Sequence, residues 1–210
     1  MEIIDCSIPL SAKTPVFPGD ESFSLNRVAE FSARDDVELS HFSASTHSGT
    51  HIDAPAHFIP GGKKLNEIPI ERLVGKVRVV EIFDSECITL DSLQKYDLQN
   101  SRRIFFKTRN SQLWHTHPHE FIQDFVYLGE DAARYLAGLE LFMVGIDYLS
   151  IDSAESENYP AHILLLEKEI LIVEGLNLSE VSTGTYDLVC APLKIENAEA
   201  APARVLLLKN

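Results

Sequence analysis

The stretch STHSGTHIDAPAHF, residues 45–58, holds three of the chain's eight histidines and an aspartate. His47, His51, Asp53 and His57 fall on one parity, together with Gly49 and Pro55. In extended backbone, residues two apart share a face. The four-residue spacing of His47 and His51 would also suit a helix, but Gly49 and Pro55 oppose one. An extended or looping segment therefore points two imidazoles and a carboxylate the same way. That donor set is what a divalent metal takes. Gly49 is expected to leave room for an ion between the histidines, and Asp53 supplies the negative charge that two neutral imidazoles lack. A lone histidine is ordinarily a surface or hydrogen-bonded residue. Against that stands the density of these residues on one parity, and both readings stay open on spacing alone.

A second cluster, LWHTHPHE, places His115, His117 and His119 on one parity too. It contains Pro118, lacks a glycine to make room, and sits in a polar stretch. A solvated histidine-rich loop is the expectation, with the lining of an active-site mouth as its alternative. A catalytic metal also needs partners from elsewhere in the chain. His162 and Glu174 are candidates: Glu174 ends the apolar run ILIV, where a carboxylate is costly unless paired. Pairing by a metal, by a cap or by an ion pair would each serve. Asp147 ends another apolar run, and Ser150 and Asp152 just behind it are expected to stabilise a turn.

These residues must be held by a scaffold. Strands are expected at 2–8, 40–47, 76–83, 102–107, 140–146, 170–174, 185–190 and 203–208, all short and rich in Val, Ile, Leu and Phe. Helices are expected at 89–98, 130–139 and 160–169, the last with Pro160 at a first helical position. The sum is an α/β domain with more strands than helices, spanning 1–210 as one unit. Regular βα alternation is not visible, so a doubly wound sheet is not expected. KTPVFPGD reads as a loop stiffened by Pro15 and Pro18.

Composition excludes several classes of function. The chain has 210 residues and a net charge of −14, with carboxylates spread along its length. Such a field repels phosphate backbones, so no nucleic-acid partner is expected. No apolar run approaches the ~20 residues of a membrane helix, and the acidic start MEIIDCSIPL is not that of a signal peptide. Three scattered cysteines suit a reducing, cytoplasmic setting. G-x-S-x-G is absent, which removes the usual serine-hydrolase signal, and GGKK lacks the spacing of a phosphate loop.

At HSGTHIDAPAHF the chain resembles the cyclase-like metal-dependent hydrolases, whose signature reads H-x-G-T/A-H-x-D-x-P-x-H-F. Bacterial kynurenine formamidases are the best-defined members and isatin hydrolases are relatives. The resemblance runs from PVFPGD through GIDYLSID and AH…EGL to APARVLLL. It implies a swivelling β/β/α fold and a homodimer or larger homo-oligomer. It implies one or two divalent ions, Zn2+ or Mn2+, held by His47, His51 and Asp53 at one position and by Asp53, His162 and Glu174 at the other. It assigns His57 as general acid and base. The family's substrate-contacting tryptophan in P-V-W-P-G-D is Phe17 here, which keeps an aromatic face and loses the indole N–H.

The implied activity is hydrolysis of a small aromatic amide, N-formylkynurenine first, with metal-activated water and a proton from His57 for the leaving aryl amine. Opening of a cyclic amide such as isatin is the enzymatic alternative. A metal-binding or structural domain without turnover is the other. A pure binding site has no need of an imidazole beside its ligands, so His57 favours an enzyme.

Overall fold

The computed structural model describes residues 1–32, 36–83 and 86–209. In chain order the strands are β1 (Glu2–Asp5), β2 (Ser24–Ala29), β3 (Leu39–Ser43), β4 (His51–Asp53), β5 (Val74–Glu81), β6 (Cys87–Ile88), β7 (Arg103–Lys107), β8 (Tyr127–Leu128), β9 (Met143–Ile146), β10 (Leu171–Glu174), β11 (Gly184–Pro192) and β12 (Ala200–Lys209). The helices are α1 (Leu90–Leu93), α2 (Leu113–Thr116), α3 (Glu130–Ala137) and α4 (Pro160–Leu166). Strands outnumber helices, as expected.

Seven strands follow the order β12-β11-β5-β7-β9-β10-β4, and β4 pairs back to β12, so the sheet closes into a barrel. The length of β12 makes closure possible. Its first residues, Ala200–Pro202, pair with β4, its middle runs along β11, and its end carries β1. β5, β7, β9 and β10 are mutually parallel, and the strands around them are antiparallel.

Side chains alternate across this wall with the two-residue period of a strand. Val77, Val79, Phe105, Met143, Leu171 and Val173 join Leu188, Val205 and Leu207 in the barrel core. Val80, Ile104, Phe106, Val144, Ile146 and Ile172 face outward, where Leu93 of α1, Ala132, Ala133 and Leu136 of α3, and Ala161, Leu165 and Leu166 of α4 cover them. Strands buried on both faces read as continuous apolar runs, which is why RIFFK and LIV stood out in the sequence.

Several expectations need correction. βα alternation exists after all: α1 links β5 to β7, α2 and α3 lie between β7 and β9, and α4 joins β9 to β10. It is hidden because the helices are short and the two-residue strands β6 and β8 interrupt them. The helix expected at 89–98 stops at Leu93, and the one at 160–169 stops at Leu166, with Glu169 turning back at φ 56°. The strand expected at 40–47 ends at Ser43, so His47 sits in a turn. β2 was not anticipated, because SLNRVA lacks an apolar alternation. It pairs only with β3, in a separate hairpin.

Candidate metal centre

β4 is three residues long, fully buried, and lies between β10 and β12 at the closure of the barrel. Ile52 points into the barrel core, so His51 and Asp53 point to the other face, where α4 packs. Glu174 lies directly across the ladder from His51. The shared parity of His51 and Asp53 is therefore the pleat of a strand. Glu174 Oε2 comes within 3.2 Å of His51 Nε2, and Asp53 Oδ1 within 3.6 Å of the same nitrogen.

The other groups arrive from turns and a helix. α4 carries His162, whose Nε2 stands 3.2 Å from Glu174 Oε1 and 3.7 Å from Asp53 Oδ2. His47 sits within the turn at Ser45–Ser48, and its Nδ1 lies 3.0 Å from Asp53 Oδ1. Beyond β4, Pro55–His57 form one 3-10 turn that brings His57 back beside the cluster, its ring centroid 4.2 Å from that of His47 and 5.8 Å from that of His162. Two groupings have ligand atoms all within 4.8 Å of one another: His47, Asp53 and His57, and His51, Asp53 and Glu174. This division places His57 closer to ligand distance than the expected sets did.

Two residues outside the expected set orient it. Asp152 accepts hydrogen bonds from the Ala161 and His162 amides and from His162 Nδ1 at 2.7 Å. It thus stabilises the entry to α4, as expected of a turn residue, and also aims His162. Glu199, held by Thr46 Oγ1 at 2.7 Å, sits 3.6 Å from His47 Nε2. Nothing in the local sequence tied either one to a particular histidine. Gly49 has a different job from the one expected. At φ +65° its missing side chain makes way for Leu10, and its carbonyl accepts from His51 Nδ1 at 2.9 Å. The room it leaves is for packing, not for an ion.

The electrostatics are those of a cation site. Both carboxylate oxygens of Asp53 and His51 Nε2 are buried with no well-directed hydrogen bond among the described residues, the 3.0 Å approach of His47 Nδ1 to Asp53 Oδ1 being an ion-pair contact. Orphaned buried acceptors are rare and costly. Burial would raise the Asp53 carboxyl, but the imidazoles of His51, His47 and His57 override it and hold it well below the usual carboxylate range. Burial would lower His51 and His162, but Asp53 and Glu174 push them up to about 9 and about 10. The carboxylates thus demand positive charge at this point, and an imidazole and carboxylate set without thiolate fits a divalent cation. His57 behaves oppositely. Burial lowers it, with His47 and His162 pushing the same way against Asp53 and Glu174, so its ring is neutral at pH 7.

The cluster opens into a cleft of about 250 Å³ lined by Phe17, Asp20, His57, Phe58, Leu149 and Tyr159. Phe17 meets Phe121 edge-on at 5.4 Å, so it both packs and faces the cleft. His115, His117 and His119 are exposed and bond to Ser179, Thr116 and the Lys13 carbonyl. They lie apart from this cleft, as a solvated loop would. Asp147 is buried at the end of β9, where Thr108 and Ser111 donate to it through backbone and hydroxyl groups. None of the three cysteines forms a disulfide, and no helix among the described residues is long and apolar enough to cross a membrane.

Known proteins resemble this chain in sequence and fold. The family model Cyclase, described as "Putative cyclase", matches residues 4–153. A kynurenine formamidase of Geobacillus thermodenitrificans is 35% identical over 98% of this chain and 97% of its own. A solved structure described as a predicted metal-dependent hydrolase from Bacillus stearothermophilus superimposes with a TM-score of 0.85 at 35% identity, covering 98% of this chain and 97% of the other. Isatin hydrolase A from Labrenzia aggregata, solved with benzyl benzoate bound, gives 0.82 at 25% identity over 100% and 94%. With its barrel, its histidine and carboxylate cluster and a match over most of its length, the chain belongs to the cyclase family of metal-dependent hydrolases.

Proposed function

We propose that this chain is an arylformamidase, hydrolysing N-formylkynurenine to kynurenine and formate. The observation that carries the reading is a cleft with aromatic walls whose lining includes His47, His51, His162 and Glu174, with the buried Asp53 carboxylate against the three histidines. His47, His51, Asp53, His162 and Glu174 would hold one or two ions, zinc or manganese. When bound, such an ion supplies Lewis-acid charge that makes water a usable nucleophile near neutral pH and offsets charge developing on the carbonyl oxygen.

The chain's own residues do the rest. His57, neutral at pH 7, takes a proton from the attacking water at a ring nitrogen and delivers it to the amide nitrogen as the C–N bond breaks. Water adds to the formyl carbon, formate leaves with the oxygen, and the aryl amine leaves protonated. Phe17 and Phe58 present flat faces that hold the aryl ring and keep bulk water from the scissile bond. Kynurenine formamidases at 30–35% identity over nearly the whole chain support this substrate ahead of others. Isatin is the second reading, favoured by the likeness to isatin hydrolase A.

The protein acts as a cytoplasmic homodimer in this reading. Support for the dimer comes from the β2–β3 hairpin, where Leu25, Val28, Leu39 and Phe42 are exposed. An isolated two-stranded hairpin is marginal in water. The deciding experiment is metal analysis of purified protein beside hydrolysis of N-formylkynurenine and isatin, with light scattering for mass. One or two ions per chain and faster turnover of the formamide are expected. A metal-free protein with full activity would sink the proposal.

A further inference from the structure

Tyr159 caps the start of α4 with φ 43° and ψ 54°. This left-handed backbone is strained for a residue with a large side chain, and glycine or asparagine is its ordinary occupant. The following Pro160 pushes it further toward extended backbone. Its main-chain duties explain nothing about the side chain. Its N–H donates to Ser156 Oγ at 3.0 Å, and its carbonyl accepts from the Ile163 amide at 3.1 Å. Glycine would do both without strain.

The side chain points to a different requirement. The ring lines the same cleft as Phe17, His57 and Leu149. It stands 5.2 Å from the Phe58 ring, tilted by 49°, and 6.3 Å from His162. Phe58 in turn lies 4.7 Å from His162. Two aromatic faces therefore border the cleft beside the histidine cluster, one of them on a backbone whose strain its local structure does not need. Strain that persists beside a site is kept by what the side chain does there.

We propose that Tyr159 is a specificity-determining residue. Its ring walls an aryl subsite over Phe58, and the left-handed backbone is retained because it turns that ring into the cleft. The ring is the working part, so phenylalanine can replace it. This rests on the aromatic-amide reading of the site and narrows it: a flat ring is held at Tyr159, and the scissile carbonyl is thereby set toward His57.

Three variants test it: Tyr159→Gly, Tyr159→Ala and Tyr159→Phe. Glycine and alanine both remove the ring, but only glycine relieves the backbone, so Tyr159→Gly should melt about 2–4 °C above Tyr159→Ala. Both should raise KM for N-formylkynurenine about tenfold, with metal content unchanged and formamide itself hydrolysed as before. Tyr159→Phe should stay within about twofold of the parent in KM. Equal melting of the glycine and alanine variants, an unchanged KM, or a parallel loss of metal would each overturn the proposal.

Binding of 2-aminoacetophenone by calorimetry needs no turnover and should weaken about tenfold in Tyr159→Gly. A protein that binds this probe through Tyr159 yet hydrolyses neither formamide nor isatin would sink the activity and keep the subsite. Binding indifferent to Tyr159 would sink the subsite alone.

Discussion

Asp152 accepts from His162 Nδ1, so Nδ1 keeps its proton and Nε2, beside Asp53 and Glu174, is the nitrogen left to meet a cation. Oδ1 takes the Ala161 amide and Oδ2 takes both the His162 amide and Nδ1, so Asp152→Ala removes the acceptor that aims the ring together with those that hold the entry to α4. Metal affinity should fall about 10–100-fold, read by chelator competition, while the metal-free protein melts a few degrees below the parent. Unchanged affinity would mean that packing against Phe58 alone sets the ring. His57→Ala should keep its metal and lose about 10²–10⁴-fold in rate. Loss of the ion on that change would move His57 into the ligand set, which its grouping with His47 and Asp53 makes a real contest. At this scale the sequence was informative where chemistry repeats along the chain. His51 and Asp53 share a face because β4 is extended. Asp152 was not legible, because its partner lies on the next helix and only folding brings the two together.

β4 and β10 meet beside two glycines with left-handed backbone, Gly49 and Gly175. Gly175, directly after Glu174, has φ +68°, and a Cβ there would fall on the Gly49 carbonyl. The Gly175 amide is bonded to the Tyr148 carbonyl at 2.7 Å, and its own carbonyl accepts from Thr50 Oγ1 at 2.6 Å, so neither side can retreat cheaply. Gly175→Ala should cost about 2–4 kcal/mol in chemical denaturation and weaken metal binding, because Glu174 is carried along. A variant within about 0.5 kcal/mol of the parent would show that the approach is looser than described. Apolar runs gave most strands to within a few residues. They gave β4 no strand signal, since HID holds a single apolar residue and is buried by its neighbours on either side. Gly49 was assigned to the ion because spacing shows a gap without showing what fills it. Leu10 fills it.

The barrel is closed by the strand that carries two of the candidate ligands. An ion bound there ties β4 to β10 and α4 as well as serving chemistry. Chelation should therefore lower stability, by about 4 kcal/mol where the free ion had stood a thousandfold above its Kd. Loss of amide protection should concentrate at residues 51–53 and 171–174 and spare β5 and β11. Calorimetry and hydrogen exchange on the same sample check both parts, and uniform loss of protection would contradict the latch. The α/β class was readable from the strand and helix signals. Closure was not, because it depends on β12 being long enough to serve three partners, and length alone does not name them.

β4 emerges early in synthesis and has nothing to pair with until β10 and then β12 have been made. Until then the histidines and Asp53 hang on a nascent chain as loose, weak ligands, open to whatever ion is at hand. The final grip forms only when the last staves are set, so tight metal retention doubles as a report that folding has finished. A chain stopped just before residue 200 should bind metal weakly and without fixed stoichiometry. Measured by dialysis against a chelator, such a chain should release its ion in the time that the full-length protein keeps it.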